Sequence, residues 1–308
     1  MKILLTGGAG FIGSHVVDAL ISEGYEVSVV DNLLTGKIEN VNPAARFRKL
    51  DLGDSALPVL IQSQKFDYVI HHAAQVNVRF SVNNPGEDAR NNIIGTLNLL
   101  QGCLSSGIRG IVFASSGGAI YGETEQLPVK EKNDKGPLSP YGVSKLSVEY
   151  YLYCFARVLG LPYIALRYGN VYGPRQDPSS PYSGVISIFI DRICAGEPIT
   201  IFGDGTQTRD FIYVGDVVQA NIRAMTSDYC GVLNIAGGQE TSLNVLAAVI
   251  MACTGNVCDI AYAAPREGDI HRSLADTRRL EATLGRVAAC SLADGLSETI
   301  AWCRGTPE

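Results

Sequence analysis

The 308-residue sequence predicts an α/β fold, a doubly wound parallel sheet with a smaller C-terminal cap. Three observations carry that prediction. Apolar runs of strand length alternate with amphipathic segments of helix length through about the first 170 residues. A loop of regularly spaced glycines joins the first strand to the first helix. After Pro174 the alternation fails, and Gly, Pro, Ser and Asp cluster at 173–184. The chain exceeds the usual size of one core, so 1–174 reads as the main domain and 175–308 as the smaller region, with some of its segments expected back in the main sheet.

Lys2-Ile3-Leu4-Leu5-Thr6 is a short apolar run and reads as a buried strand. It breaks into Gly7-Gly8-Ala9-Gly10-Phe11-Ile12-Gly13, and helical periodicity follows over 11–23. Gly7, Gly10 and Gly13 permit a tight turn, close approach of the backbone to a pyrophosphate and close packing of helix on strand, with the pyrophosphate at the positive helix N-terminus. A second strand, 26–30, leads into Asp31, 18 residues past Gly13, where a carboxylate can bind the ribose of a dinucleotide. A 2′-phosphate against that carboxylate would be repelled, and Asn32, Leu33 and Leu34 follow rather than Arg. NAD is therefore favoured over NADP, with Lys37 the nearby cation that argues the other way. Strands at 46–50, 67–71, 110–115 and 162–168 and helices at 54–64, 86–106 and 140–159 complete the alternation.

The last of these helices carries the chemistry. Ser139 is a good N-cap and Pro140 a natural first helical residue. Tyr141 and Lys145, four apart, then share one helix face. A phenol ionises near pH 10 and is a poor base at neutral pH, but a cation within about 4–6 Å can lower its pKa by about 1–3 units. On that reading Lys145 makes Tyr141 a usable acid/base. Taken alone, Tyr-x-x-x-Lys is as well explained by a half-buried aromatic and a solvated charge. The nucleotide-binding loop in the same domain is what favours the chemical reading.

Bulk properties exclude several classes. A formal charge of −6 without a basic block argues against a nucleic-acid surface. No apolar stretch approaches the roughly 20 residues that span a bilayer, and the N-terminus enters a strand without signal-peptide architecture. The eight cysteines are scattered, and the four histidines, at 15, 71, 72 and 271, stand in no metal spacing. Reduced thiols in a cytoplasmic protein without a metal site are expected.

The glycine loop, Asp31 and the Tyr141/Lys145 pair occur with further ordered motifs. These are Asp51-Leu52, His71-His72-Ala73-Ala74-Gln75, Asn91, Ser115 to Gly122, Arg167 to Gln176, Arg209-Asp210 and Arg266-Glu267-Gly268-Asp269. Together they resemble the extended short-chain dehydrogenase/reductases, and within them the nucleotide-sugar 4-epimerases typified by UDP-glucose 4-epimerase, over nearly the whole length. The resemblance implies a Rossmann domain whose Phe11 and Ile12 amides meet the pyrophosphate and whose Asp31 and Asn32 hold the adenosine ribose. It further implies that Asp51 and Leu52 flank the adenine and that Ala73, Ala74 and Gln75 lie beneath the cofactor. Asn91, Lys145 and Tyr168 would steady the ribose and nicotinamide. Asn170, Arg209 and Arg266 would meet the sugar diphosphate, Asp269 the uridine ribose, and Ser273 the space in which the 2-substituent of the sugar swings. With Ser at that position, turnover of UDP-glucose/UDP-galactose and of UDP-N-acetylglucosamine is predicted. A homodimer joined through Glu87–Cys103 and Tyr141–Leu159 is also implied.

Two departures stand out. The family's catalytic hydroxyl would align with Gly117. A one-residue bulge at Gly117-Gly118 is expected to bring Ser116, rather than Ser115, into that role. Val76 stands where some relatives carry a Lys, which would loosen the cofactor. The implied reaction removes hydride from sugar carbon 4 and returns it to the opposite face, with Tyr141 and Ser116 managing the proton. Dehydratases and decarboxylases of the family need acidic groups just before the Tyr121-Gly122 pair, where this chain has Gly118, Ala119 and Ile120. A glucuronate epimerase ranks second, with Ser115, Ser116 and Ser183 as its carboxylate donors. An NAD sensor and a dehydrogenase that releases NADH rank lower, the sensor because both Tyr141 and Lys145 are retained.

Overall fold

In the computed structural model, which describes residues 1–178, 184–265 and 270–305, the first strand shows how the chain builds two cores at once. In β1 (Lys2–Thr6), Ile3 and Leu5 enter one apolar cluster and Leu4 enters another, as the period of two in a strand requires. Strands β2 (Glu26–Asp31), β3 (Arg46–Lys49), β4 (Tyr68–His71), β5 (Gly110–Ser116) and β6 (Tyr163–Tyr168) follow, with β7 (Asn170–Tyr172), β8 (Ile199–Phe202) and β9 (Thr208–Tyr213) after them. Strands β10 (Gly231–Ile235), β11 (Glu240–Ser242) and β12 (Ile260–Ala263) are the last.

Seven strands form a parallel sheet in the order β10-β6-β5-β4-β1-β2-β3. Helices Phe11–Ser22 and Val214–Met225 cover one face, and Ala56–Gln64, Gly95–Leu104 and Pro140–Leu159 the other. The order runs outward from β1 in one direction and from β4 in the other, so a crevice opens at the carboxyl ends of these two strands. The seventh strand comes from the second half of the chain. Two small sheets, β11-β9-β7 and β12-β8, occupy the C-terminal part. A third apolar cluster there packs Phe189, Ile190, Ile201, Leu246, Ile250 and Ile300.

The single helix expected at 86–106 is broken. Pro85–Ala89 is α-helical, Arg90–Ile94 makes a wider π turn, and Gly95–Leu104 resumes the α-helix. The cause is local side-chain bonding: the Asn92 carboxamide leaves the helix surface to donate to Gln75 O and Asp88 and to accept from Gln75 N. Among the described residues no helix is long and apolar enough to cross a membrane.

Candidate active site

The crevice between β1 and β4 begins at the glycine loop. A Cβ on Gly13 would lie 2.2 Å from the carbonyl oxygen of Gly7, and one on Gly7, at φ +77°, would lie 2.5 Å from Ala73 N. A Cβ on Gly10 would meet only the Gly7 oxygen, at 3.3 Å. Gly7 and Gly13 therefore hold the turn closed, and Gly10 leaves room above the helix end. Gly10 caps helix Phe11–Ser22 without a side-chain hydrogen bond, so the first amides are offered to a ligand.

Asp31 ends β2, largely buried, and accepts from Ala9 N at 3.0 Å and Leu33 N at 2.8 Å. Each carboxylate oxygen keeps a lone pair for a further donor. Lys37, the cation that could have welcomed a 2′-phosphate, is tied to Asp177 at 2.8 Å. Asn32 donates to Asp51 at 2.8 Å, bringing the two groups expected around the adenosine onto one edge, and Leu52 is buried beside them. The uncapped helix end, the glycine cradle and Asp31 fit a dinucleotide.

At β4, Ala73 N donates to Thr6 O, which locks the strand end under the loop. The Gln75 amide is committed to Asp88 and to the Asn77 backbone, and its own backbone N–H and C=O are paired with Asn92, so Gln75 braces the strand end. Asn91 is half-buried on the π turn, beside the buried Asn92. Tyr168, at the end of β6, turns its hydroxyl to Asn221 and offers only its ring.

Helix Pro140–Leu159 starts as its sequence predicts. The Ser139 hydroxyl accepts from Gly142 N at 3.2 Å, and Pro140 occupies the first position. Gly142 proves indispensable to the packing: a Cβ there would stand 2.3 Å from the carbonyl oxygen of Ala119. Its absence lets the helix end press onto the turn after β5. That turn is a short helix, Gly117–Tyr121, capped by the Ser116 hydroxyl accepting from Ala119 N at 3.3 Å. The expected bulge at Gly117-Gly118 is not formed; the helical turn places Ser116 instead. Neighbouring strand residues point to opposite sides. Ser115 donates to the buried Glu149 at 2.6 Å, and Ser116 lies against Tyr141.

The electrostatics differ from the expectation in one respect. Burial pushes the Tyr141 phenol up to about 12; the Ser116 hydroxyl works against that rise and the Asp88 carboxylate adds to it. Lys145 does not lower it here. Its Nζ donates to Ala114 O at 2.8 Å and lies 5.8 Å from the centre of the Tyr141 ring. Burial brings Lys145 itself down to about 8, against the pull of Asp88 and Glu149. Desolvation is the largest influence on both groups and sets the direction of each shift.

Residues to which the sequence reading gave no role surround this pair. Glu149 forks onto Arg167 at 2.6 and 2.9 Å, and Arg167 continues to the Tyr121 hydroxyl at 2.7 Å. Tyr121 donates to Asn234 on β10 at 2.7 Å. His71 is buried and His72 half-buried, and both are held neutral chiefly by desolvation, His72 falling to about 4. Glu149 lies four residues past Lys145 and could have been read as its helix neighbour; Asp88 carried no comparable signal.

At the cap, Asn170 donates to Asp210 O at 3.3 Å. Arg209 donates to the carbonyls of Thr208 and Ile270, at 2.8 and 2.7 Å, and so holds the segment at Ile270 against β9. Ile270 also lines a cavity of about 730 Å³ with Phe202, Asp204, Tyr262 and His271. Ser273 is half-buried on the same segment. Arg266 and Asp269, and Ser183 with them, lie outside the described residues.

Comparison with known proteins shows the family of the chain. Residues 3–236 match the model of the NAD dependent epimerase/dehydratase family. The chain is 46% identical to a UDP-glucose 4-epimerase of Thermotoga maritima solved with UDP-glucose, with a TM-score of 0.97 and full coverage of both chains. A UDP-N-acetylglucosamine 4-epimerase of Methanobrevibacter ruminantium, solved with UDP-N-acetylmuramic acid, is 41% identical, with a TM-score of 0.92 and 99% of each chain covered. A UDP-glucose 4-epimerase of Thermus thermophilus in complex with NAD is 39% identical, with a TM-score of 0.93 over the whole of both chains.

Proposed function

Since the chain belongs to the NAD-dependent epimerase/dehydratase family, we propose that it inverts carbon 4 of a UDP-hexose, interconverting UDP-glucose and UDP-galactose and accepting N-acetyl forms. The observation that carries this reading is the meeting of Tyr141 and Ser116 over Lys145 at the carboxyl end of β5, beside the glycine loop. Tyr141 takes and returns the proton of the 4-hydroxyl, and Ser116 holds the same oxygen. Bound NAD supplies the hydride acceptor and donor, so no net oxidation results. Lys145, on the same helix face as Tyr141, would hold the nicotinamide ribose. With NAD bound, the buried Tyr141 phenol would ionise more readily beside the cofactor's positive charge.

The turn Gly117–Tyr121 contributes no acid or base to the sugar, which favours return of the hydride over elimination of water or loss of a carboxylate. Asn170, bonded to Asp210 O, and Arg209, bonded to Ile270 O, would meet the diphosphate, and the 730 Å³ cavity with Tyr262 and Phe202 would take the uracil end. Ser273 leaves room for a 2-acetamido group. The eight free cysteines fit a reducing, cytoplasmic setting. We read the assembly as a homodimer joined through the segments Glu87–Cys103 and Tyr141–Leu159.

The test is incubation with UDP-galactose, UDP-N-acetylglucosamine and UDP-glucuronate, with products read by proton NMR. Equilibration of the first two without accumulation of NADH is expected, and Ser273→Tyr should suppress the N-acetyl reaction selectively. Turnover of UDP-glucuronate alone would replace this reading with the glucuronate one.

A further inference from the structure

Asp88 is fully buried, and the donors that satisfy it are neutral. Its Oδ1 accepts from Gln75 Nε2 at 2.7 Å and Asn92 Nδ2 at 3.0 Å, and its Oδ2 accepts from Ser144 Oγ at 2.6 Å. Three donated hydrogen bonds suit a carboxylate, which can only accept. The other buried carboxylate near Lys145 is neutralised locally: Glu149 forks onto Arg167. The imidazoles of His71 and His72 are neutral, and Lys145 itself bonds a carbonyl. A buried negative charge held only by dipoles acts through space on whatever positive charge the pocket contains, with little screening.

We propose that Asp88 is a positioning residue for charge, the fixed counter-ion of both Lys145 and the oxidised nicotinamide, and that it biases the site towards NAD over NADH. Its place supports this. Asp88 sits on helix Pro85–Ala89, immediately before the π turn, and clamps three pieces of the crevice: the β4 end through Gln75, the turn through Asn92, and the catalytic helix through Ser144. Lys145 feels it directly, since Asp88 is the larger of the two carboxylate pulls that oppose the lysine's desolvation. The same charge makes Tyr141 harder to ionise, so it is not there to help the phenol. What gains is the positive ring, present in the oxidised cofactor and absent in the reduced one. An enzyme that must recover its hydride from a transient ketone works best when the reduced cofactor is the less comfortable state.

The inference rests on reading this pocket as a nicotinamide site, and the two can fail separately. Dissociation constants for NAD and NADH are measured on the purified protein by calorimetry, and the ratio of the NADH to the NAD constant is the readout. Asp88→Asn keeps the shape and two of the acceptor contacts; it should lower that ratio about tenfold, the change expected for losing one such charge interaction. Ser144→Ala removes a hydrogen bond to Asp88 but no charge and should leave the ratio in place. Lys145→Met removes the opposite charge and should raise the ratio, which carries the test if Asp88→Asn does not fold. An unchanged ratio in Asp88→Asn, an equal fall in Ser144→Ala, or no rise in Lys145→Met overturns the proposal. Failure of the wild type to bind either dinucleotide overturns the reading of the pocket itself.

Discussion

Ser115 and Ser116 show how much one residue's direction decides. They are adjacent and chemically identical, yet one donates into a buried ion pair and the other faces Tyr141. Their alanine variants should separate cleanly. Ser116→Ala should slow turnover by about 10–100-fold with stability nearly unchanged, while Ser115→Ala leaves Glu149 short of a donor and should cost about 1–3 kcal/mol by denaturant melts. Tyr141→Phe should cut kcat by about 10²–10⁴ while NAD binding, followed by calorimetry, survives. Near-normal turnover in Tyr141→Phe would remove it from the chemistry. The Tyr141/Lys145 spacing was legible because a helix face is a sequence property. The ionisation of the pair was not, because desolvation depends on everything that packs around it. Gly142 was equally silent: its role exists only because Ala119 O, 23 positions away in sequence, arrives 2.3 Å from where its Cβ would be.

At the scale of elements, the main strands and helices of the first half could be read from apolar periodicity, because the inner strands of the sheet are buried on both faces and each covering helix on one. The segment 86–106 could not. Its break arises from Asn92 bonding Gln75 and Asp88, a tertiary demand that overrides helical continuity. The strand β9 carries a further consequence. Asp210 on it is buried, and burial pushes its carboxyl up to about 6 although Gly238 N and Ala275 N donate to it. The folded-state value lies above the unfolded one of about 3.9, so protonation favours the folded state. That contribution is fully present below about pH 4 and is lost as the pH rises through 6. Compared with Asp210→Asn, which does not titrate, the wild type should lose up to about 3 kcal/mol between pH 4 and pH 7.5. The difference between their melting temperatures, measured across that range, checks it. A constant difference would show that Asp210 has the same affinity for its proton in both states.

At the scale of the molecule, the outer face of helix Pro140–Leu159 is the feature that one chain leaves unexplained. Tyr150, Tyr153 and Val158 are 63%, 55% and 73% exposed, and Val143, Tyr151 and Leu159 accompany them. An apolar stripe of this kind is expected to be covered by a partner. A double substitution, Tyr150→Glu with Val158→Glu, should shift the mass seen by light scattering at micromolar concentration from dimer to monomer; a wild type that is already monomeric rejects the assembly. Tyr141, the proposed acid/base, stands in the first turn of this same helix, so loss of the dimer should also lower activity.

The strand β10 has a bearing on how this chain can be cut or recombined. It is supplied by residues 231–235, yet it closes the edge of a sheet whose other six strands are complete by residue 168. Its Asn234 accepts from Tyr121, and its backbone accompanies β6 from Gly231 to Ile235. Division near residue 174 would therefore leave an open parallel edge beside a buried guanidinium, a site for misassembly rather than a free-standing nucleotide module. Expressed alone, residues 1–174 should aggregate or remain unfolded by circular dichroism, and co-expression with 175–308 should recover soluble, NAD-binding material. Grafts that exchange the cap for that of a relative would need to keep the native 231–235 strand in place. The boundary along which specificity can be re-engineered is set by hydrogen-bonded neighbours, and it does not coincide with any single point on the chain.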